Sequence, residues 1–122
     1  MAENEQSVSI VLNNVAGALV ATIQAALTPD VLDQFKQALL IRLEKDNVHH
    51  LLFDFSGLEL MDANEFKAIQ KIINMASLMG VPSILVGFRS GIVASLVQHN
   101  LDILCMKTAL NLEDAFNQIE NK

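Results

Sequence analysis

Four carboxylates crowd one short stretch of this chain: Asp54, Glu59, Asp62 and Glu65. Paired carboxylates can pass a proton as general acid and base, but only in a cleft that also holds a nucleophile or a metal. Their spacing has a simpler use. Asp54 closes an apolar run where a strand must end, and can satisfy the amides of the loop that follows. Asp62 with Glu65 three residues on is a capping-box pattern, with Asp in place of the usual Ser or Thr. The other reactive residue types are scattered. His49 and His50 are neighbours whose side chains diverge on a strand, and His99 lies far along the chain, so a metal site lacks a clustered third ligand. Cys105, between Leu104 and Met106, reads as a buried thiol with no nearby group to activate it. Arg89 follows Gly87-Phe88 and precedes a helix start, where an anion could bind, although a solvated loop cation is the commoner case. Met61, Met75, Met79 and Met106 read as core or interface filler. No Gly-rich phosphate loop follows any apolar run, and no cofactor and no metal is implied.

Composition narrows the class further. The 122 residues suit one compact domain over 1–122, with a core over about 7–119 and short polar tails. An apolar content of 52% excludes intrinsic disorder. The net charge of −6 repels a phosphate backbone, and six Phe without Trp or Tyr offer few stacking platforms, so nucleic acid is excluded as a partner. A single cysteine excludes an internal disulfide framework and fits a reducing compartment. The acidic start lacks the basic flank and apolar stretch of a signal peptide, and the apolar region over 15–27 is too short to span a bilayer. A cytoplasmic protein without membrane contact is expected. Mean hydropathy of +0.36 in so small an acidic chain points to self-association, as a homo-oligomer or a dimer within a larger assembly.

The elements that must position these residues follow from periodicity. Residues 7–13 alternate, with Val8, Ile10 and Leu12 on one side, and the turn chemistry of 14–17 leads to a second, antiparallel strand over 18–24. Thr28-Pro29-Asp30 starts a helix with a hydroxyl cap, Pro at the first position and a carboxylate at the positive dipole end. It runs to about Lys45, with Val31, Leu32, Phe35, Leu39 and Leu43 inward. Residues 50–55 form a strand covered on both faces, the mark of a parallel or mixed sheet. A loop over 56–61 enters a helix capped by Asp62, with Phe66, Ile69, Ile72, Ile73 and Ala76 as its stripe and Gly80 as its stop. Residues 83–87 form a further strand. A short helix over 92–99 turns Ile92, Val93, Leu96 and Val97 inward and is closed by Asn100, and residues 103–106 form an edge strand. Asn111 caps a last helix with Leu112, Ala115, Phe116 and Ile119 inward. The sum is an α/β fold, a single mixed β-sheet of about five strands with four helices and right-handed crossovers.

The order of these elements and the loop Asp54-Phe55-Ser56-Gly57-Leu58-Glu59-Leu60-Met61-Asp62 resemble a STAS domain, the fold of bacterial anti-sigma-factor antagonists. The resemblance runs from about Ser7 to Ile119 and is nearest to stressosome scaffolds of the RsbS type. Residues 75–80, Val86-Gly87, Leu96-Val97 and 108–113 carry it together with the loop. It implies a STAS fold and a non-enzymatic scaffold that associates with RsbR-type STAS paralogues and sequesters an RsbT-type serine kinase. That kinase phosphorylates the Ser or Thr directly after the loop Asp and then departs, and an RsbX-type phosphatase resets the switch. Here the acceptor position falls on Ala63, which has no oxygen to modify. An alanine there fits a naturally locked scaffold or a replaced serine, and the otherwise intact motif favours the replacement. Ser56 and Ser77 do not stand in the matching position. Carried onto this chain, the kinase- and partner-binding loop is Ser56, Gly57, Leu58, Glu59, Met61, Asp62, Asn64 and Glu65. A STAS subunit of a transporter or of a lipid-trafficking ATPase complex is the alternative.

Overall fold

The computed structural model describes residues 10–98 and 107–120, so the expectations for Val8, His99, Asn100, Cys105, Met106 and the strand over 103–106 lie outside the described residues. Among the described residues the elements follow in the expected order of types: β1 (Ile10–Val15), β2 (Ala18–Ile23), α1 (Pro29–Lys45), β3 (His50–Asp54), α2 (Ala63–Leu78), β4 (Ser83–Val86), α3 (Ser90–Gln98), β5 (Lys107–Ala109) and α4 (Leu112–Glu120). The strands make one mixed sheet in the order β1-β2-β3-β4-β5. Only β1 and β2 pair antiparallel, and the other pairs are parallel.

Several details go beyond or differ from the sequence expectation, each for a local reason. Asn14 and Val15 belong to β1 and pair with Leu19 and Ala18, so the turn shrinks to Ala16-Gly17. Both turn residues have positive φ, 52° and 88°, the backbone of a two-residue hairpin whose twist matches its strands. The described edge strand is Lys107–Ala109, which pairs with Ile84–Val86. Residues 107–108 are exposed, so periodicity carries no signal there. In α3, Ile92 and Leu96 are buried, but Val93 and Val97 are 39% and 65% exposed, because a nine-residue helix lying on one sheet face turns only one stripe inward.

The sheet is packed on both faces, unequally. Helices α1, α2 and α3 cover one face, where Leu19, Leu51, Phe53 and Leu85 meet Phe35, Leu39, Phe66, Ile69 and Ile92. The other face is closed by α4, whose Ala115, with Leu112, Phe116 and Ile119 beside it, sits on Ala18, Val20, Leu52, Ile84 and Val86. Burial on both sides explains why β3 reads as an unbroken apolar run. A chain of phenylalanines crosses the larger core. Phe35 meets Phe53 edge-on at 5.9 Å between ring centres, Phe53 stacks on Phe55 at 6.1 Å, and Phe88 lies 5.0 Å from Phe55 and 6.4 Å from Phe66. These contacts pin the carboxyl ends of β3 and β4 to the head of α2, where the carboxylate-bearing loop leaves the sheet.

Candidate functional site

The loop over 55–62 begins where β3 ends. Asp54, 8% exposed, accepts hydrogen bonds on one oxygen from the Ser56 amide at 3.0 Å and the Ser56 hydroxyl at 2.7 Å. This is the turn role its position at a strand end suggests. Phe55 donates its amide to the Val86 carbonyl at 2.8 Å, and Leu58 donates to the Phe55 carbonyl at 2.9 Å. Gly87 completes the root. Its φ of 75° suits glycine, and a Cβ there would stand 3.0 Å from the Ser56 Cβ. Arg89 reaches back with one guanidinium nitrogen 3.5 Å from the Ser56 carbonyl oxygen. It is an exposed side chain, consistent with a loop cation.

Farther along, the loop divides into anchors and exposed positions. Leu58 and Met61 are buried in the main core, so of the residues assigned to a partner-binding loop these two hold the loop down and are not available as contacts. Ser56, Gly57, Glu59, Asp62 and Asn64 are exposed, and Glu65 is half-buried. Leu60, which the sequence expectation passed over, is 71% exposed between two anchors. Its signal in the sequence was slight: a large apolar residue beside Met61 in a short loop whose inward positions are already filled.

Asp62 caps α2 as expected. Its carboxylate accepts the Glu65 amide at 2.7 Å, and the Glu65 carboxylate accepts the Asp62 amide at 2.9 Å. Both halves of the capping box are thus made, and the two charges stand at the positive end of the helix. Capping accounts for the spacing of this carboxylate pair. Ala63 is the first residue of α2, half-exposed. The head of α2 faces the head of α1 across a cleft of about 610 Å³. Asp62, Asn64 and Glu65 line one wall, and Thr28, Leu32 and Lys36 line the other. The loop residues therefore split between two neighbourhoods, with Asp62, Asn64 and Glu65 at the cleft and the Glu59 backbone against α3. Ser77 lies near the opposite end of α2, well removed from this loop. Among the described residues no group of three His, Cys, Asp or Glu is placed to hold a metal ion.

With this geometry in view, comparison with known proteins is specific. Residues 9–115 match the STAS domain. Over 73 residues, 60% of the chain, it is 37% identical to the RsbT co-antagonist protein RsbRB of Bacillus subtilis (strain 168). The match covers 26% of that relative, so the chain spans about a quarter of its length. A Moorella thermoacetica RsbS variant superposes with a TM-score of 0.80 at 28% identity, over 92% of this chain and 95% of that one. A chain from a structure of the stressosome, described as a signal integration and transduction hub, gives a TM-score of 0.80 at 29% identity, over 91% and 96%. The mixed five-stranded sheet, the helix order and a match over most of the sequence together make this chain a member of the STAS domain family.

Proposed function

We propose that this STAS domain is a non-enzymatic scaffold of a bacterial stress-signalling assembly. It associates with RsbR-type paralogues and holds an RsbT-type kinase through the exposed part of the loop before α2 and the first turn of that helix. The similarity to RsbS and to a stressosome chain over nearly the full length of each supports the scaffold reading. The single observation that carries the switch is the placement of Ala63 at the head of α2, directly after the Asp62 cap and within a fully formed capping box. A hydroxyl there would place an added phosphate at the positive end of a helix, where amide donors favour it. The phosphate's charge of about −1.5 to −2 would be added beside Asp62 and Glu65, on the surface that a bound partner touches, and would expel that partner. With alanine the switch position is silent, the kinase is retained, and an RsbX-type phosphatase has nothing to remove from it.

The alternative, a subunit of a transporter or of a lipid-trafficking ATPase complex, has less behind it. The three relatives named above, 28–37% identical over their aligned residues, carry stress-signalling names. Among the described residues no helix is long and apolar enough to cross a membrane. A cytoplasmic assembly with self-association of the chain belongs to the same proposal. Light scattering that finds a monomer both alone and with an RsbR-type partner would remove it.

Incubation with an RsbT-type kinase and ATP, followed by mass spectrometry, tests the switch. The chain should bind the kinase and gain no phosphate, Ala63→Ser should gain one, and Ala63→Glu should retain the kinase less well. Phosphate on Ser56 or Ser77 of the unaltered chain, arriving as fast as on Ala63→Ser, would overturn the assignment.

A further inference from the structure

Three backbone carbonyls of the loop before α2 are met by one short stretch of chain, residues 89–95. Arg89 approaches the Ser56 carbonyl oxygen at 3.5 Å, and the Ser95 hydroxyl donates to the Met61 carbonyl oxygen at 3.1 Å. Between them Gly91 lies directly under the loop. A Cβ on Gly91 would fall 2.8 Å from the Glu59 carbonyl oxygen and 3.1 Å from a Leu60 methyl. Real Cβ atoms do not come that close to a backbone oxygen, so any side chain here must push the loop away or shift the helix. Gly91 and Ser95 are four residues apart in α3 and therefore share a face. That face is distinct from the buried stripe of Ile92 and Leu96, which anchors α3 in the core.

We infer that α3 is the template that sets the shape of the partner-reading loop, with Gly91 and Ser95 as its positioning residues. The inference rests on the scaffold reading for its consequence in binding, but not for its structural content. Glycine inside a helix is ordinarily a cost, because it lowers helix propensity relative to alanine. At Gly91 that cost is met by close packing: only a residue without a side chain lets the Glu59 backbone settle on the helix. Ser95 then holds the last carbonyl before the Asp62 cap, so the seating of the loop and the direction in which α2 presents Ala63 are coupled. The exposed Leu60 and Glu59 are displayed from a fixed platform instead of a free loop. A side chain at position 91 would therefore alter partner binding without touching the partner.

The test compares Gly91→Ala, Ser95→Ala and Ser95→Thr in the full chain. Amide hydrogen exchange is read over residues 59–63, with β3 as internal reference, beside retention of an RsbT-type kinase. Gly91→Ala should speed exchange over 59–63 about tenfold or more while β3 is unchanged, and weaken kinase retention by a similar factor. Ser95→Ala should do the same by about threefold to tenfold, the worth of one hydrogen bond, and Ser95→Thr, which keeps the hydroxyl, should restore most of it. If Gly91→Ala is folded and leaves exchange over 59–63 unchanged, the inference is wrong. Should Gly91→Ala fail to fold, Ser95→Ala decides alone: unaltered exchange over 59–63 overturns the inference, and accelerated exchange sustains it. Exchange that accelerates while kinase retention holds sustains the template but overturns the inference that this loop is what the kinase reads, whereas an unaltered chain that binds no kinase counts against the scaffold reading alone.

Discussion

The two helix heads that face each other across the cleft are built differently. The head of α1 has a neutral cap: the Thr28 hydroxyl accepts the Val31 amide at 3.2 Å, and Pro29 presets the first turn. The head of α2 has two charges in a reciprocal box, both bonds at 2.9 Å or less, and is fed by a loop seated on Leu58, Met61 and α3. Both heads start a helix. Leu27 before the first cap and Met61 before the second are both buried in the main core, and the chain entering α2 is also tied to α3 through the Ser95 hydroxyl on the Met61 carbonyl. The α1 cap is a single local hydroxyl bond, whereas the α2 head combines a reciprocal box with a side-chain hydrogen bond from distant sequence.

Loss of the core beneath the α2 head has the largest expected effect. Phe66→Ala removes a fully buried ring from the first turns of α2, next to Phe88, and should destabilise the fold by about 3–5 kcal/mol in denaturant unfolding. A loss under about 1 kcal/mol would show that the aromatic chain does not hold the loop root. Next come the caps themselves. Asp62→Ala removes the carboxylate that accepts the Glu65 amide and one charge at the positive helix end, while the amide at position 62 can still donate to the Glu65 carboxylate, so a cost of about 1–2 kcal/mol is expected, with Thr28→Ala below it at about 1 kcal/mol or less. Equal costs in chemical denaturation would mean that the box contributes no more than a single hydroxyl. Smallest in stability is Leu60→Ser, which should change unfolding by no more than about 0.5 kcal/mol, because the side chain is exposed. It should nevertheless reduce kinase retention in a pull-down. Retention at the unaltered level would place the contact surface on the cleft side of the loop alone.

Much of the fold was legible in the residues. The Thr28-Pro29 and Asp62/Glu65 caps, the Asn111 side chain that accepts the Asp114 amide at 2.8 Å, and the period-2 and period-3.6 apolar stripes are all complete within a few residues of chain. The turn role of Asp54 was readable for the same reason, since its partner Ser56 lies two positions away. The errors fall where that locality fails. Val93 and Val97 continue an apolar pattern that a helix on a single sheet face cannot bury, and exposed Lys107 and Thr108 form a strand only because Ile84 and Leu85 offer backbone partners.

The site divides along the same line. The capping box and the placement of Ala63 at a helix start were determined by the sequence itself, because helix capping is satisfied within one turn. Which loop residues are anchors and which are exposed was decided by the tertiary structure. Leu58, Leu60 and Met61 are chemically alike, and only the position of the core beneath two of them buries Leu58 and Met61 and leaves Leu60 out. The part of Gly91 and Ser95 was likewise invisible. A glycine becomes a seat for a carbonyl, and a serine its tether, only when crossovers of the chain bring Ser95 against Met61, 34 residues away.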